Sequence, residues 1–177
     1  MTPDFHQNHF AMFGLEPKFN IDMARLDSAF RKLQGEVHPD RFAGGSDAEK
    51  RVSMQWAMRA NEAYQTLKRP IARARYLLSL AGVDTQEEVN TSMPADFLMQ
   101  QMAWREAVAD AKVAKDAAAL DSQVSDLRKA ERALQVRLAA ALDERPDHAG
   151  AAEIVRKLRF IEKLAEEISL AQEALEN

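Results

Sequence analysis

The residues with the clearest chemical potential are His38, Pro39 and Asp40, which stand together after an amphipathic helical stretch. An imidazole and a carboxylate could do general acid–base work, because both side-chain types act as proton donors and acceptors in enzymes. No Ser, Cys or Lys nucleophile is visibly paired with them, and a loop tip lacks the walls that exclude water from a catalytic site. The tripeptide alone is also ordinary turn chemistry. The neighbouring sequence therefore decides between a turn, a catalytic pair and a recognition motif.

Two predicted helices must hold this tripeptide. Proline disfavours helical geometry in the residue before it, so the preceding helix should stop near His38. That helix should begin after the candidate N-cap Asp22. The next helix should begin at Ser46, because Ser46 and Glu49 have the spacing of a capping box. The tripeptide is therefore predicted to lie at the tip of a helical hairpin, where a partner can reach it.

Apolar spacing gives both helices one buried face each. The first helix should bury a stripe at spacings of four and three residues, namely Leu26, Phe30, Leu33 and Val37. The second should run from about Asp47 to Leu67 and bury Val52, Trp56, Ala60, Ala63, Tyr64 and Leu67. Positive side chains lie around the first helix and just after the tripeptide, namely Arg25, Arg31, Lys32 and Arg41. They stand out because the chain as a whole carries a net charge of −4.

The composition of the 177 residues predicts an all-α protein, since Ala, Leu and charged residues dominate and only six glycines interrupt them. The acidic balance argues against general nucleic-acid binding. The absence of cysteine excludes disulfides and thiolate metal ligation by this chain. His6 and His9 have no visible partner ligands, so no metal or cofactor is expected. No apolar run is long enough for a membrane span and the first residues lack a secretory signal, so a cytoplasmic protein is expected.

From Pro94 onward the sequence predicts three long helices with short connections, which favour an antiparallel three-helix bundle. The second should follow Asp116, and the third should carry a stripe from Ile154 to Leu175. We expect a hairpin domain over residues 1–82, a linker over 83–93 and the bundle over 94–177.

The first bundle helix carries two apolar faces, although a bundle buries only one. At about 100° per residue, one face collects Phe97, Trp104, Val108 and Ala111. The other side collects Leu98, Met99, Met102 and Val113, beside the acidic Glu106 and Asp110. Phe160 lies at the edge of the last helix's stripe. An exposed patch of Leu, Met and Phe is commonly an interaction surface, so this side is a candidate partner-binding face. The alternative is that it packs on the N-terminal domain.

Taken together, these motifs give the chain a family resemblance. The N-terminal half resembles a J-domain through Phe13-Gly14-Leu15, the basic helix, the tripeptide with Arg41, the segment 61–67, and the pattern from Pro70 to Leu78. With segments 97–102 and 155–160, the whole chain resembles the HscB family, the J-type co-chaperones of bacterial iron–sulfur cluster assembly.

That resemblance implies two partners and no enzyme activity. It implies that the hairpin tip docks on an HscA-type ATPase chaperone and stimulates its ATP hydrolysis, through His38, Pro39, Asp40, Arg41, Arg25, Arg31 and Lys32. It also implies that the bundle binds the IscU-type scaffold of cluster assembly, through Leu98, Met99, Met102, Glu106, Asp110 and Phe160. Ala103 stands where an acidic residue is common in the family, which should weaken the polar part of that contact. Arg41 replaces the commoner Lys and keeps the charge.

Two other hypotheses remain open. The chain could be a J-domain co-chaperone for a different client, with the bundle as a dimerisation or spacer module, although we expect a monomer. It could also be a small helical hydrolase that uses His38 and Asp40, which would require a pocket around them.

Overall fold

The structure is a computed structural model that describes residues 7–38, 44–85 and 93–176. Every regular element within these ranges is helical, which confirms the all-α fold class. The helices are α1 (His9–Met12), α2 (Met23–Val37), α3 (Asp47–Lys68), α4 (Pro70–Leu80), α5 (Ala95–Ala114), α6 (Ala117–Ala139) and α7 (His148–Glu176). The chain separates into two compact units, Met1–Leu77 and Leu78–Asn177. The domain bounds 1–82, 83–93 and 94–177 stay predictions, and residues 86–92 lie outside the described ranges.

Local hydrogen bonds set the ends of α2 and α3. The Asp22 side chain accepts a hydrogen bond from the Arg25 amide, and α2 ends at Val37 because the backbone of His38, which precedes a proline, is extended. At the start of α3, Ser46 and Glu49 form both hydrogen bonds of a capping box. The helix boundaries on either side of the tripeptide are confirmed.

Two side-chain hydrogen bonds define how α2 and α3 pair. The Ser53 hydroxyl donates to the Val37 carbonyl at 2.7 Å, and the Tyr64 hydroxyl donates to Asp27 Oδ1 at 3.0 Å. The end of α2 therefore lies beside the start of α3, so the two helices form an antiparallel hairpin. The buried cluster of this unit consists of Phe10, Phe13, Leu26, Ala63 and Leu67.

The prediction that Val52 of α3 lies in the core is wrong. Val52 is 38% exposed, whereas its neighbour Ser53 is only 4% exposed. The last carbonyls of a helix lack partners within that helix, and the Ser53 hydroxyl supplies one to Val37. Because the Val37 carbonyl at the end of α2 needs a hydrogen-bond donor, Ser53 faces the interior and the apolar Val52 does not.

The second unit contains the predicted bundle helices α5, α6 and α7. α5 ends at Ala114, and its C-cap residue Lys115 turns the chain with a positive φ of 53°. Asp116 then caps α6 by accepting a hydrogen bond from the Ala119 amide. α6 pairs with the far end of α7 through a hydrogen bond of 2.7 Å from Gln172 to Asp121. The interior is apolar and includes Phe97, Trp104, Val108, Leu120, Leu127, Leu138, Leu158, Ile161, Leu164 and Ile168.

Two features of this unit were not predicted. α6 continues into a π-helical turn over Ala140–Glu144 before α7 begins. Thr85, inside the predicted linker, is only 4% exposed, and its carbonyl accepts a hydrogen bond of 3.1 Å from Arg156 of α7.

Candidate interaction surfaces

The first candidate surface is the outer side of α2 in the first unit. Arg25, Arg31 and Lys32 are all exposed and fall within an arc of about 120° on the side away from the buried stripe. The Arg25 guanidinium donates to the Gly14 carbonyl at 2.8 Å, which fixes its position against the loop after α1. Glu36 follows Lys32 by one turn and reduces the positive charge at that end. The surface is therefore basic, and Arg25 is held on it by its hydrogen bond to the Gly14 carbonyl.

His38 directly follows α2, the helix that carries this basic surface. His38 is exposed at the carboxyl end of α2, in extended backbone, with φ −61° and ψ 129°. The predicted site residues Pro39, Asp40 and Arg41 lie outside the described residues. The hydrolase alternative requires walls around His38, and the exposure of its side chain does not favour it.

The second candidate surface is the outward side of α5 in the second unit. The exposed fractions are 42% for Leu98, 71% for Met99 and 71% for Met102, which are high for apolar side chains. Glu106 and Asp110, also exposed, continue the same ridge at intervals of four residues. The opposite side of α5 is buried as expected, through Phe97, Trp104, Val108 and Ala111. The predicted division of this helix into a core face and an exposed apolar face is confirmed.

Phe160 differs from the other predicted members of this surface. Its ring stacks on Trp104 with a centroid distance of 6.4 Å and meets Phe97 edge-on at 6.0 Å. The Arg105 guanidinium lies over the same ring, 5.4 Å from its centroid. The side chain is half-buried. Phe160 therefore supports α5 from α7, and only part of its ring faces outward.

A buried cation supports the same aromatic cluster. Lys157 is 6% exposed, pairs with Glu153 at 2.7 Å and places its ammonium 5.4 Å from the centre of the Phe97 ring. Sequence reasoning missed this contact, since a lysine in an amphipathic helix is usually solvated. The sequence signal that could have indicated this ion pair is the spacing of Glu153 and Lys157, which lie four residues apart on one helix.

His9 is a structural residue in this fold. Its ring stacks on Tyr76 with a centroid distance of 4.1 Å, and its backbone amide donates to the Tyr76 hydroxyl at 3.0 Å. Burial lowers the pKa of His9, an effect opposed by the nearby Glu62 carboxylate and reinforced by the Arg59 cation. Across the described ranges, no group of three or more His, Asp or Glu side chains could hold a metal ion. No helix described here is long and apolar enough to cross a membrane.

Comparison with known proteins places the chain in a family. The family model described as the HSCB C-terminal oligomerisation domain matches residues 93–169. A protein from Paraburkholderia phymatum, the co-chaperone protein HscB homolog, is 52% identical over 172 residues, which cover 97% of this chain and 98% of that relative.

Two solved structures extend the likeness to the fold. Chaperone HscB from Vibrio cholerae matches with a TM-score of 0.83 and 36% identity, over 96% of this chain and 99% of that one. The human co-chaperone protein HscB matches with a TM-score of 0.89 and 31% identity, over 95% of this chain and 83% of that one. A J-domain hairpin joined to a helical C-terminal bundle defines a J-type co-chaperone. The chain belongs to the HscB family of co-chaperones.

Proposed function

We propose that this protein is a bridging co-chaperone of iron–sulfur cluster biogenesis. It binds the IscU-type scaffold, delivers it to an HscA-type chaperone and stimulates ATP hydrolysis by that chaperone. The observation that carries the proposal is the outward side of α5. It exposes three large apolar side chains next to two carboxylates in a chain that also carries the basic α2.

The chaperone side of the proposal rests on α2 and the tripeptide. Exposed cations accelerate encounter with an acidic partner and fix its register, whereas a rigid short motif supplies the specific contact. Arg25, Arg31 and Lys32 perform the first task, and His38, Pro39 and Asp40 perform the second, with Arg41 adding charge beside them. The chain itself catalyses no step and requires no cofactor. This protein binds most tightly to the hydrolysing state of the chaperone, and it thereby shifts the conformational equilibrium of the chaperone towards that state.

The scaffold side rests on the α5 surface. Leu98, Met99 and Met102 offer flexible apolar contacts that adapt to a partner, and thioether side chains are well suited to that task. Glu106 and Asp110 require basic groups on the scaffold opposite them. The outward part of Phe160 adds an aromatic edge. The protein acts in the cytoplasm as a monomer, without nucleic acid or membrane as a partner.

A second candidate is a J-domain co-chaperone for another client, whose bundle serves self-association. The description of the matched C-terminal family model as an oligomerisation domain favours it. Analytical ultracentrifugation over a range of concentrations distinguishes the two, since the favoured function expects a single monomeric species.

The test of the chaperone side is an ATPase assay with the cognate chaperone. The variant Asp40→Asn should abolish stimulation and leave scaffold binding unchanged. A charge reversal on α2, Lys32→Glu, should reduce the association rate and its dependence on salt. Lys50→Glu, an exposed reversal on α3, is the matched control and should change neither. Full stimulation by Asp40→Asn contradicts the proposed role of the tripeptide.

A further inference from the structure

The exposed apolar side of α5 continues beyond the residues assigned to scaffold binding. Ala109, just before Asp110, and Val113, three residues after it, are both exposed on α5. Val113 has the highest exposed fraction among the large apolar side chains that the structure describes, at 87%. At about 100° per residue, Leu98, Met102 and Val113 lie within about 60° of one another, so they form one strip along α5.

This distal part of the strip borders an open groove between α5 and α7. Its floor consists of Val108 and Leu164, which are 2% and 3% exposed. Ala109 and Val113 form the α5 side. Ala109 presents only a methyl group on the α5 side, so it fills little of the groove. The groove lies wholly within the second unit.

A weak ion pair spans the groove. Lys112 Nζ lies 3.4 Å from Glu167 Oε1, and the two side chains are 44% and 48% exposed. Pairs that are this exposed contribute little to stability, so a partner can displace them at small cost. The Arg105 guanidinium, held over the Phe160 ring, forms the end of the groove nearest the assigned residues. A partner that enters the groove therefore has to displace only the exposed pair of Lys112 and Glu167.

The size of stable interfaces indicates that the assigned scaffold surface is incomplete. A specific interface buries about 800 Å² on each partner and involves about 20 or more residues a side. The assigned set contains far fewer residues and ends at Asp110. From Leu98 to Val113 the strip is about 22 Å long at 1.5 Å per residue, against about 18 Å from Leu98 to Asp110.

We infer that the α5–α7 groove is the distal part of the scaffold-binding surface and receives an apolar side chain of the scaffold. This inference rests on the proposed function. The occupant is the scaffold and not a second copy of this chain. In a two-fold pairing of two copies through the same strip, Glu106 near its middle would lie close to its own counterpart, and like charges in contact oppose binding. A scaffold with basic groups opposite Glu106 and Asp110 can pair with them and contact the apolar residues of the strip at the same time.

The test uses the full chain and purified IscU-type scaffold in isothermal titration calorimetry. Val113→Arg places a charge beside the groove and should weaken binding about tenfold or more, as substitutions at anchor positions do. Val136→Arg is the matched control, because Val136 is also a highly exposed valine, on α6, at 71%. It should bind as wild type does. Equal weakening by both variants, or none by Val113→Arg, overturns the inference.

A second measurement needs no loss of function. The chain has no cysteine, so Val113→Cys can be labelled uniquely with an environment-sensitive fluorophore before the scaffold is added. Emission should shift to the blue on saturation, whereas the same label at Val136→Cys should not respond. If wild type does not bind the scaffold at all, the proposed function fails. A different outcome is that wild type binds the scaffold, Leu98→Ala/Met102→Ala does not, and the emission of the Val113→Cys label does not change. In that case only the groove assignment fails.

Discussion

Replacing Leu98 and Met102 together with alanine should weaken partner binding at the α5 surface while the bundle stays folded. The two side chains are partly exposed in the free protein, with exposed fractions of 42% and 71%. Truncation also removes their buried parts, which should lower the free energy of unfolding by at most about 2 kcal/mol. The loss of binding should come from the exposed parts, which a partner covers.

The magnitude follows from the area that each side chain can still bury. Truncation to alanine removes three heavy-atom groups from either residue, and complete burial of each group contributes about 0.8 kcal/mol. Only the exposed part remains to be buried, so Leu98 contributes about 1.0 kcal/mol and Met102 about 1.7 kcal/mol when scaled by those fractions. Together they amount to about 2.7 kcal/mol, which is about a hundredfold change in Kd.

The assay is calorimetric titration of the scaffold into wild type and into the double variant, with thermal unfolding of each protein alone. The matched control is Val136→Ala with Leu170→Ala, which truncates two similarly exposed residues on α6 and α7, at 71% and 66%. That control should bind normally. A Kd for Leu98→Ala/Met102→Ala within about threefold of wild type would refute the assignment of this surface, since it corresponds to less than about 0.7 kcal/mol.

Further predictions concern the residues that support the two surfaces. Ser53→Ala removes a buried donor from the Val37 carbonyl and should cost about 1–2 kcal/mol in urea unfolding. Phe160→Ala should lower stability by about 2 kcal/mol, because the half-buried ring packs on Trp104. Burial lowers the pKa of His9 in the folded state, so protonation favours the unfolded chain. The free energy of unfolding should therefore fall as the pH drops below about 6.5, and His9→Phe should remove that part of the decrease.

Each of these three predictions has a control variant or a result that would contradict it. Ser125→Ala, an exposed serine on α6, should leave the unfolding midpoint unchanged. Phe160→Ala without any loss of stability would mean that the ring is not part of the bundle core. An identical decrease in stability with acid in wild type and in His9→Phe would show that the decrease arises from other groups.

The features that followed from the sequence are those determined by neighbouring residues. The capping box at Ser46 and the N-cap at Asp22 form as predicted, because these hydrogen bonds reach only three residues along the chain. α6 also begins directly after Asp116, as predicted. The two faces of α5 were equally accessible to prediction, since helical periodicity alone separates Phe97 from Leu98.

The features that escaped prediction depend on distant partners. Ser53 is buried because the end of α2 needs a donor, which the sequence of α3 does not reveal. Phe160 is half-buried because Trp104 of another helix lies against it, and His9 stacks on Tyr76 from 67 residues away. Periodicity assigns a residue to a face of its own helix, but not to the neighbour that covers it.

The central claim is that one chain must carry both contact surfaces, and a complementation assay tests it directly. The cognate chaperone's ATPase rate is measured with scaffold present and with wild type, Asp40→Asn, Leu98→Ala/Met102→Ala, or an equimolar mixture of the two variants. If the protein is a bridge, wild type should give scaffold-dependent stimulation of the ATPase. The mixture should not, because no single molecule in the mixture can hold both partners. Restoration of wild-type stimulation by the mixture would contradict the account.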